Sequence, residues 1–418
     1  MAESGSKLQD TIFSLTLVDT HSHIRQWPTM PQPMTAYELF NGSGCLRQVF
    51  VASGALSRQE FRAGKTFPDW PSLSDAIRKI RTTAYYRMLL SGLKSLYNMD
   101  FDELDEDSLN VISGKLAESY ASQDWYRIIL REKAGFGVNC QDYGLDADRS
   151  LFTPVVRLDR FVRLGMPTWG KQVADKYGEE KTASLEGLLV CLRQEFHELL
   201  DAGAAAIKSN ETWGRTLNYE EVDEATVSDA LVECREDSSK KAAKTIGDYM
   251  MGRIAKLCGE NGIPLQFHTG PAGGVDHVIE YGNPLNLTSL ILRNPETKFV
   301  IFHAGGPFVR ECAHMAVQYP NVYLDLCGVL GRESLRHIIE EWMEYVPHTK
   351  FLWGTDVNMV EEAYAVSRSF RQVLADLLED RVKSGYMSYA PAEDFARGIA
   401  GENAKRVLRI PASGSSNS

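Results

Sequence analysis

Eight short apolar runs, each ending in polar or charged residues, constrain the fold of this chain more than any other feature. They are rich in Val, Ile and Phe, and helical patterns fill the intervals between them, which is typical of repeated βα units. The runs occupy residues 14–21, 135–142, 153–159, 204–210, 263–270, 298–306, 321–328 and 350–356. Eight parallel strands with intervening helices predict either a closed (β/α)8 TIM barrel or a doubly wound open sheet.

Two arguments favour the barrel over the open sheet. Closure removes the two exposed edges that an open sheet would leave. In addition, His, Lys, Asp or Arg lies at the C-terminal end of nearly every run, and barrel enzymes build their sites at that end from several strands at once. We therefore expect an α/β fold with one TIM barrel domain over residues 14–410.

The interval between the first and second runs is too long for a single crossover. It contains SDAIRKIRTTAYYRMLLSGLKSLYN, in which Ser74 is a candidate N-cap, and a second helical stretch from Asp107 to Lys133. We predict a helical insertion over about residues 72–134 that leans over the barrel mouth; a satellite bundle or a dimer surface is the alternative. Residues 1–13 and 411–418 are expected to be irregular or disordered.

Charge and composition narrow the partners. The net charge is -11 and the pI is near 5.4, so no broad basic face is available for nucleic acid. The seven cysteines are scattered without a CxxC pair, the start MAESGSKLQD lacks a signal-peptide pattern, and no apolar run approaches the ~20 residues of a membrane span. We expect a cytoplasmic protein that acts on small molecules, without nucleic-acid or membrane partners. A homo-oligomer is an open alternative.

The first run ends in LVDTHSHI, which carries His21 and His23. Residues i and i+2 of a strand project to the same side, so the two imidazoles can converge on one cation. An isolated HxH is a weak signal, because most strand histidines are hydrogen-bonded core or surface residues. The pattern alone leaves metal binding open.

Three later runs strengthen the prediction of a metal site. IPLQFHTG ends in His268, KFVIFHAGG contains His303, and KFLWGTD ends in Asp356. A cluster of histidines with one aspartate suits Zn, Mn or Fe, whereas Ca or Mg would need mainly oxygen ligands. A cation held there can activate water, and a nearby carboxylate can take up the released proton.

The same segments carry a resemblance to a known family. The chain resembles the amidohydrolase superfamily, and within it the amidohydrolase-related (amidohydrolase 2) branch, in DTHSH, QFHTG, FVIFHAGGPFVRECAHMAVQYPNVYLDL and FLWGTD, which stand in the expected order. The segments DLCGV and AIKSN are most similar to the amidohydrolase part of FluG-type proteins. The resemblance covers residues 17 to about 410.

The resemblance implies roles for five residues. His21, His23, His268 and Asp356 would be metal ligands, and Asp356 would also be the general base. His303 would be either another ligand or, as we favour, the group that polarises the substrate carbonyl. One divalent ion is favoured, with Zn expected first and Mn or Fe as alternatives.

Three basic residues are candidate substrate contacts. Lys208 ends the fourth run; it is either carboxylated and bridges a second ion, as in some superfamily members, or an ammonium that pairs with an aspartate or a substrate carboxylate. Arg157 either pairs with Asp159 on one strand face or holds an anionic substrate through its planar fork. Arg215 lies on a loop expected to overhang the mouth.

The expected function is metal-dependent hydrolysis of a small amide, lactone or related carbonyl compound, with a carboxylate-bearing substrate as one option. A non-hydrolytic decarboxylase or a uronate-isomerase-like enzyme on the same barrel is the alternative. A binding or scaffolding barrel without catalysis is disfavoured, because every expected metal position holds a competent residue.

Overall fold

The computed structural model describes residues 7–236, 239–271 and 274–410, and it confirms the predicted barrel. All eight predicted runs contain a strand, and the strands form one parallel sheet in the order β1 to β8. The strands are β1 (Leu17–Ser22), β2 (Phe136–Gln141), β3 (Thr153–Arg157), β4 (Ala206–Ser209), β5 (Leu265–Phe267), β6 (Phe299–Ile301), β7 (Val322–Asp325) and β8 (Phe351–Leu352).

The last strand returns to the first, which excludes the open sheet. Thr20 N donates to Trp353 O at 3.3 Å, Asp356 N donates to His21 O at 2.9 Å, and His23 N donates to Val357 O at 2.9 Å. These bonds continue past the end of β8 and bring the segment after β8 against the end of β1.

The strands are shorter than the apolar runs that predict them. β5 ends at Phe267 and β8 at Leu352, so His268 and Asp356 both follow a strand. Below them lies a buried apolar cluster that includes Val18, Val155 and Val300. The polar residues are therefore raised to the C-terminal rim.

Helices cover the outside of the barrel and connect its strands. Before β1 lies α1 (Lys7–Ser14), and the insertion between β1 and β2 contains α2 (Ala36–Gly42), α3 (Gly44–Ala52), α4 (Arg58–Arg62), α5 (Trp70–Ile80), α6 (Ala84–Tyr97), α7 (Glu106–Ser119) and α8 (Asp124–Arg127), which continues as a π-helix (Ile128–Lys133). After β3 follow α9 (Asp159–Val162), α10 (Pro167–Tyr177), α11 (Glu179–Thr182), α12 (Leu185–Asp201), α13 (Glu224–Glu236), α14 (Lys240–Glu260), α15 (Thr288–Arg293), α16 (Val309–Gln318), α17 (Arg332–Met343), α18 (Val360–Lys383), α19 (Tyr389–Arg397), a second π-helix (Gly398–Glu402) and α20 (Asn403–Val407).

The insertion begins earlier than predicted. Its helices start at Ala36, so the predicted start near residue 72 is wrong. Ser74 is not an N-cap either: Asp69 caps α5 by accepting a hydrogen bond from Ser72 N, and Ser74 lies inside the helix. Asp69 is a stronger cap because its carboxylate meets the positive end of the helix dipole.

The N-terminal expectation is also wrong over residues 7–13. These residues form most of α1, which is held by burial of Leu8 and Ile12. Residues 1–6 and the predicted tail 411–418 lie outside the described residues. Among the helices that are described, none has both the length and the apolar character that crossing a bilayer requires.

Candidate metal centre

A cavity of about 920 Å³ opens at the C-terminal rim of the barrel. Residues after several strands line it, and the insertion contributes part of the wall. The lining residues from the insertion are Gly44, Cys45, Gln48, Phe61, Arg62 and Tyr85. The insertion therefore forms part of the cavity wall, and of these six residues only Tyr85 falls in the predicted range of about 72–134.

Three of the predicted ligands meet at this cavity. His21 Nε2 lies 3.3 Å and His23 Nε2 lies 3.5 Å from Asp356 Oδ1. Ligand atoms of these three residues all lie within 4.8 Å of one another. Asp356 is 335 residues from His21 in sequence and reaches it only because β8 closes on β1.

Burial and neighbouring groups together set the protonation states of His21, His23 and Asp356. It lowers the pKa of His21 to about 3, and it also lowers the pKa of His23. Burial opposes ionisation of Asp356, but the hydrogen bond with His21 and the surrounding imidazoles outweigh it and hold the pKa of this carboxyl below its usual value. Neutral imidazoles beside a carboxylate are the donor forms that a divalent cation needs.

The backbone at the site is strained. Asp356 has φ 53° and His303 has φ 58°, in the left-handed region that residues other than glycine rarely adopt. Gly328 makes room for both residues, since a Cβ there would lie 2.9 Å from Asp356 Oδ2 and 3.0 Å from His303 Nδ1. Gly354 allows close approach to β1, where a Cβ would lie 2.6 Å from Thr20 Oγ1.

The other two histidines predicted for the site, His268 and His303, contact each other. His303 Nε2 lies 3.0 Å from His268 Nδ1, and His303 Nδ1 lies 2.9 Å from Cys327 O and 3.7 Å from Asp356 Oδ2. His268 Nε2 lies 3.2 Å from Pro271 O. Asp356 therefore faces His303, whereas His268 is outside the three-residue cluster.

The contacts of this histidine pair cannot all be satisfied at once. Carbonyl oxygens at both ends accept only from N–H groups, and the contact between the rings needs a third hydrogen. Burial lowers the pKa of both His268 and His303, so the neutral pair carries two hydrogens for three contacts. His268, with the longer carbonyl contact, is the ring that can leave the pair at little cost.

A buried carboxylate that the sequence analysis missed ties the ligand strands together. Asp19 Oδ1 accepts from Thr355 N at 2.8 Å and from His21 N at 3.3 Å, and its Oδ2 accepts from Thr355 Oγ1 at 2.8 Å. Asp19 lies in the same DTHSH segment as the two histidines. It fixes the backbone of His21 against the segment that leads to Asp356.

Lys208 is buried inside the barrel below the rim. Its Nζ lies 3.6 Å from the centroid of the Phe302 ring and has no hydrogen-bond partner in the described ranges. The expected pairing with an aspartate is not seen: none of the described carboxylates lies within 4.0 Å of Nζ. Burial lowers the pKa of Lys208 to about 8.

Arg157 lines the cavity, but its expected partner is wrong. It binds Asp142, with Nε 2.9 Å from Oδ1, and not Asp159. β3 ends at Arg157 and the chain turns at Leu158 into α9, so residues 157 and 159 do not share a strand face. Asp159 instead accepts from Asn210 N at 3.1 Å.

Arg215 does not line the cavity, and its predicted place over the mouth is wrong. Its guanidinium binds the buried Asp248 on α14 and donates to Thr216 O and Asn218 O, at 3.2 and 3.0 Å. The loop after β4 folds back on α14, and Arg215 holds it there.

Several residues at the site were missed. Asp142, the buried partner of Arg157, ends the second apolar run, so the rule that polar residues end each strand could have found it. Arg163, Asn210 and Tyr143 line the cavity, and Tyr143 donates from its hydroxyl to His23 O at 3.1 Å. Arg163 lies just after a helix, where the sequence pattern carries no signal for a site.

The residues present fit a divalent cation. The donors are two imidazoles and one carboxylate, in the protonation states described above. His21 Nδ1 is buried and without a partner in the described part of the chain, which leaves Nε2 as the nitrogen that faces Asp356.

Comparisons with known proteins identify the family and the fold. The sequence profile of a family described as Amidohydrolase matches residues 197–410, just over half of the chain. The protein fluG of Emericella nidulans is 37% identical over 151 residues, which cover 35% of this chain and only 17% of fluG.

Solved structures share the fold. A uronate isomerase from Thermotoga maritima superposes with a TM-score of 0.79 at 16% identity, over 96% of this chain and 96% of that one. A Lactobacillus casei protein assigned as a metal-dependent hydrolase superposes with a TM-score of 0.68 at 18% identity, over 97% and 98%. With the profile match over residues 197–410, these observations lead to one conclusion: the chain belongs to the amidohydrolase family and is an enzyme of that superfamily.

Proposed function

We propose that this enzyme is a metal-dependent hydrolase that acts on a small amide, lactone or related carbonyl compound. The observation that carries the proposal is that ligand atoms of His21, His23 and Asp356 lie within 4.8 Å of one another, and that His23 and Asp356 line a 920 Å³ cavity. Two neutral imidazoles and an ionised carboxylate at a barrel rim suit hydrolysis assisted by one cation.

His21, His23 and Asp356 would hold the cation, and His268 is a candidate fourth ligand once it leaves His303. Zn is the expected ion, with Mn or Fe as alternatives, and a second ion would require carboxylation of Lys208. A bound divalent cation polarises a carbonyl oxygen and lowers the pKa of water towards neutrality.

Asp356 has one oxygen for each of two tasks. Oδ1 faces both histidines and would serve the cation, whereas Oδ2 faces His303. Oδ2 would take the proton from the attacking water and later deliver it to the leaving group. The low pKa of Asp356 keeps this side chain ionised, which is the form that can take up a proton.

His303 is assigned to the substrate carbonyl. Its Nδ1–H donates to Cys327 O, so Nε2 can donate to a developing oxyanion only when the ring is protonated. Burial lowers the pKa of His303 and favours the neutral ring, and Asp356 Oδ2, 3.7 Å from Nδ1, offsets only part of this effect. The alternative is that neutral His303 binds the cation through Nε2; loss of metal from a His303→Asn variant would favour this alternative.

A second candidate function is aldose–ketose isomerisation of a sugar acid. It is favoured by the superposition on the Thermotoga maritima uronate isomerase, which extends over 96% of both chains and so includes the insertion. The same Asp356 would then move a proton between carbons. Product analysis separates the two, because hydrolysis adds the atoms of one water molecule to the substrate and isomerisation leaves its mass unchanged.

The test is turnover by metal-loaded protein of N-acyl amino acids, lactones and uronates. We expect hydrolysis of one of the first two classes, and Asp356→Asn should lower kcat by about 10²- to 10⁴-fold. Metal content, measured by elemental analysis, should fall in His23→Ala. Full activity of the chelated wild type would contradict the proposal.

A further inference from the structure

Two guanidinium groups line one side of the cavity. Arg157 ends β3 and Arg163 follows α9, and Asn210, directly after β4, contacts both. Asn210 O accepts from Arg163 Nη2 at 3.4 Å. The Asn210 side-chain oxygen, turned towards Arg157, lies 2.9 Å from its Nη2 and 3.2 Å from its Nη1. The two arginines therefore flank a single residue.

Each arginine is paired with a carboxylate that is more deeply buried than the arginine itself. Asp142 accepts from Arg157, and Glu211 Oε1 accepts from Arg163 Nε at 2.7 Å. The carboxylate side chains are 2% and 3% exposed, whereas the arginine side chains are 38% and 23% exposed. The negative end of each pair thus lies inside the protein and the positive end faces the cavity.

Hydrogen-bond donors remain on the cavity side. A guanidinium has five N–H groups in a fixed fork. Arg163 uses Nε for Glu211 and Nη2 for Asn210, and its Nη1 has no partner among the residues described. Arg157 uses Nε and Nη2 for Asp142, and only the Asn210 oxygen approaches its Nη1.

This group of residues lies beside the candidate metal centre. Tyr143, the neighbour of Asp142 in the chain, contacts His23 through both its hydroxyl and its ring. Arg157 is paired in register with Lys208 on β4. A ligand at the arginines would therefore lie next to a carbonyl held at the metal centre.

We propose that Arg157 and Arg163, with Asn210 between them, bind a carboxylate of the substrate. The inference rests on the proposed function and narrows it to carbonyl compounds that carry a carboxylate. A planar monoanion matches guanidinium forks. A phosphate dianion is disfavoured, because Asp142 and Glu211 offset much of the charge of the two arginines and repel a dianion more strongly than a monoanion.

Binding to the metal-loaded protein tests the proposal with three probes: N-acetylglycine, its neutral analogue N-acetylglycinamide, and inorganic phosphate. We expect calorimetry to show at least about tenfold tighter binding of N-acetylglycine than of either other probe, because charge-assisted bonds are strong. The preference should persist after chelation, which excludes direct carboxylate binding to the cation. Its loss on chelation would overturn the proposal.

The double variant Arg163→Gln with Glu211→Gln tests the role of Arg163. Both residues are changed, because removing the arginine alone would leave the Glu211 carboxylate buried without its partner. We expect its preference for N-acetylglycine to fall below about twofold. Arg310→Gln, in an exposed pair with Glu341, is the matched control and should keep it. If the double variant does not fold, Arg163→Lys keeps the charge without the fork and should weaken binding about threefold or more.

The outcomes separate this inference from the proposed function. Equal binding of the acid and its amide, tighter binding of phosphate, or an unchanged preference in the folded variants would each overturn the carboxylate subsite. A clear preference without any turnover would leave the subsite standing and count against hydrolysis only.

Discussion

Residues at or just after the ends of strands form the candidate metal centre of this protein. His21, His23 and Asp356 could be predicted from sequence because an apolar run that stops at a polar side chain marks the rim of a barrel. The contacts of Arg157 and His268 could not, because they depend on where the chain turns after the strand. The chain turns at Leu158, which takes Asp159 off the strand face of Arg157. The turn at His303 brings its ring against the ring of His268.

Gly328 is expected to be required for activity. In Gly328→Ala the new Cβ would meet Asp356 Oδ2 and His303 Nδ1, so kcat should fall by about 10²-fold or more as these groups are displaced. Gly385→Ala is the matched control, since Gly385 also has a positive φ but has open space around it. Both variants should lose about 1–2 kcal/mol of stability, measured by denaturant unfolding. Equal activities would contradict the assignment.

Lys208 should make stability depend on pH. Its pKa is about 8 in the folded protein and 10.5 in its ordinary state, so between these values the unfolded chain binds more protons and stability rises with pH. Wild type should gain about 3 kcal/mol relative to Lys208→Met across this window, and nothing below it. Urea unfolding of chelated protein measures the gain. Lys208→Gln should show the same dependence of stability on pH as Lys208→Met. If the stabilities of wild type and Lys208→Met changed in parallel with pH, the prediction would be contradicted.

At the scale of elements, the strands were predictable and the insertion was only partly so. A strand buried on both faces is a continuous apolar run that stands out in sequence. The early insertion helices α2, α3 and α4 are short, and α4 has no buried residue, so they show little periodicity. The N-cap residues Thr35, Ser43 and Ser57, which precede these helices, were the sequence signals that could have predicted them.

One buried carboxylate should decide how firmly the insertion is held to the barrel. Glu361, on α18, accepts from Tyr120 at 3.0 Å and from Trp125 at 2.9 Å. Glu361→Ala would leave both donors buried without a partner and should cost about 2–4 kcal/mol. Faster amide exchange in α7 and α8 is the expected readout.

The control is Glu393→Ala, which removes a surface pair with Arg397 and should change stability by less than about 1 kcal/mol. If Glu361→Ala exchanged its α7 amides no faster than this control, the insertion would have to be held by apolar packing alone.

For the whole molecule, metal binding should stabilise the fold. A cation that binds only the native state at a hundred times its Kd adds about 3 kcal/mol, so the Tm should rise with metal concentration. Differential scanning calorimetry with and without a chelator measures the shift, and His23→Ala should show none. An identical Tm for chelated and metal-loaded wild type would argue against tight binding.

The seam between β8 and β1 has a consequence for synthesis on the ribosome. During translation both imidazoles are synthesised more than three hundred residues before their carboxylate partner. Until β8 and the segment after it have been made, the histidines lack this partner. If these three residues hold a cation as proposed, its binding would require a chain translated past Asp356 and a closed barrel, and a product truncated before Asp356 would lack the stabilisation that the metal provides.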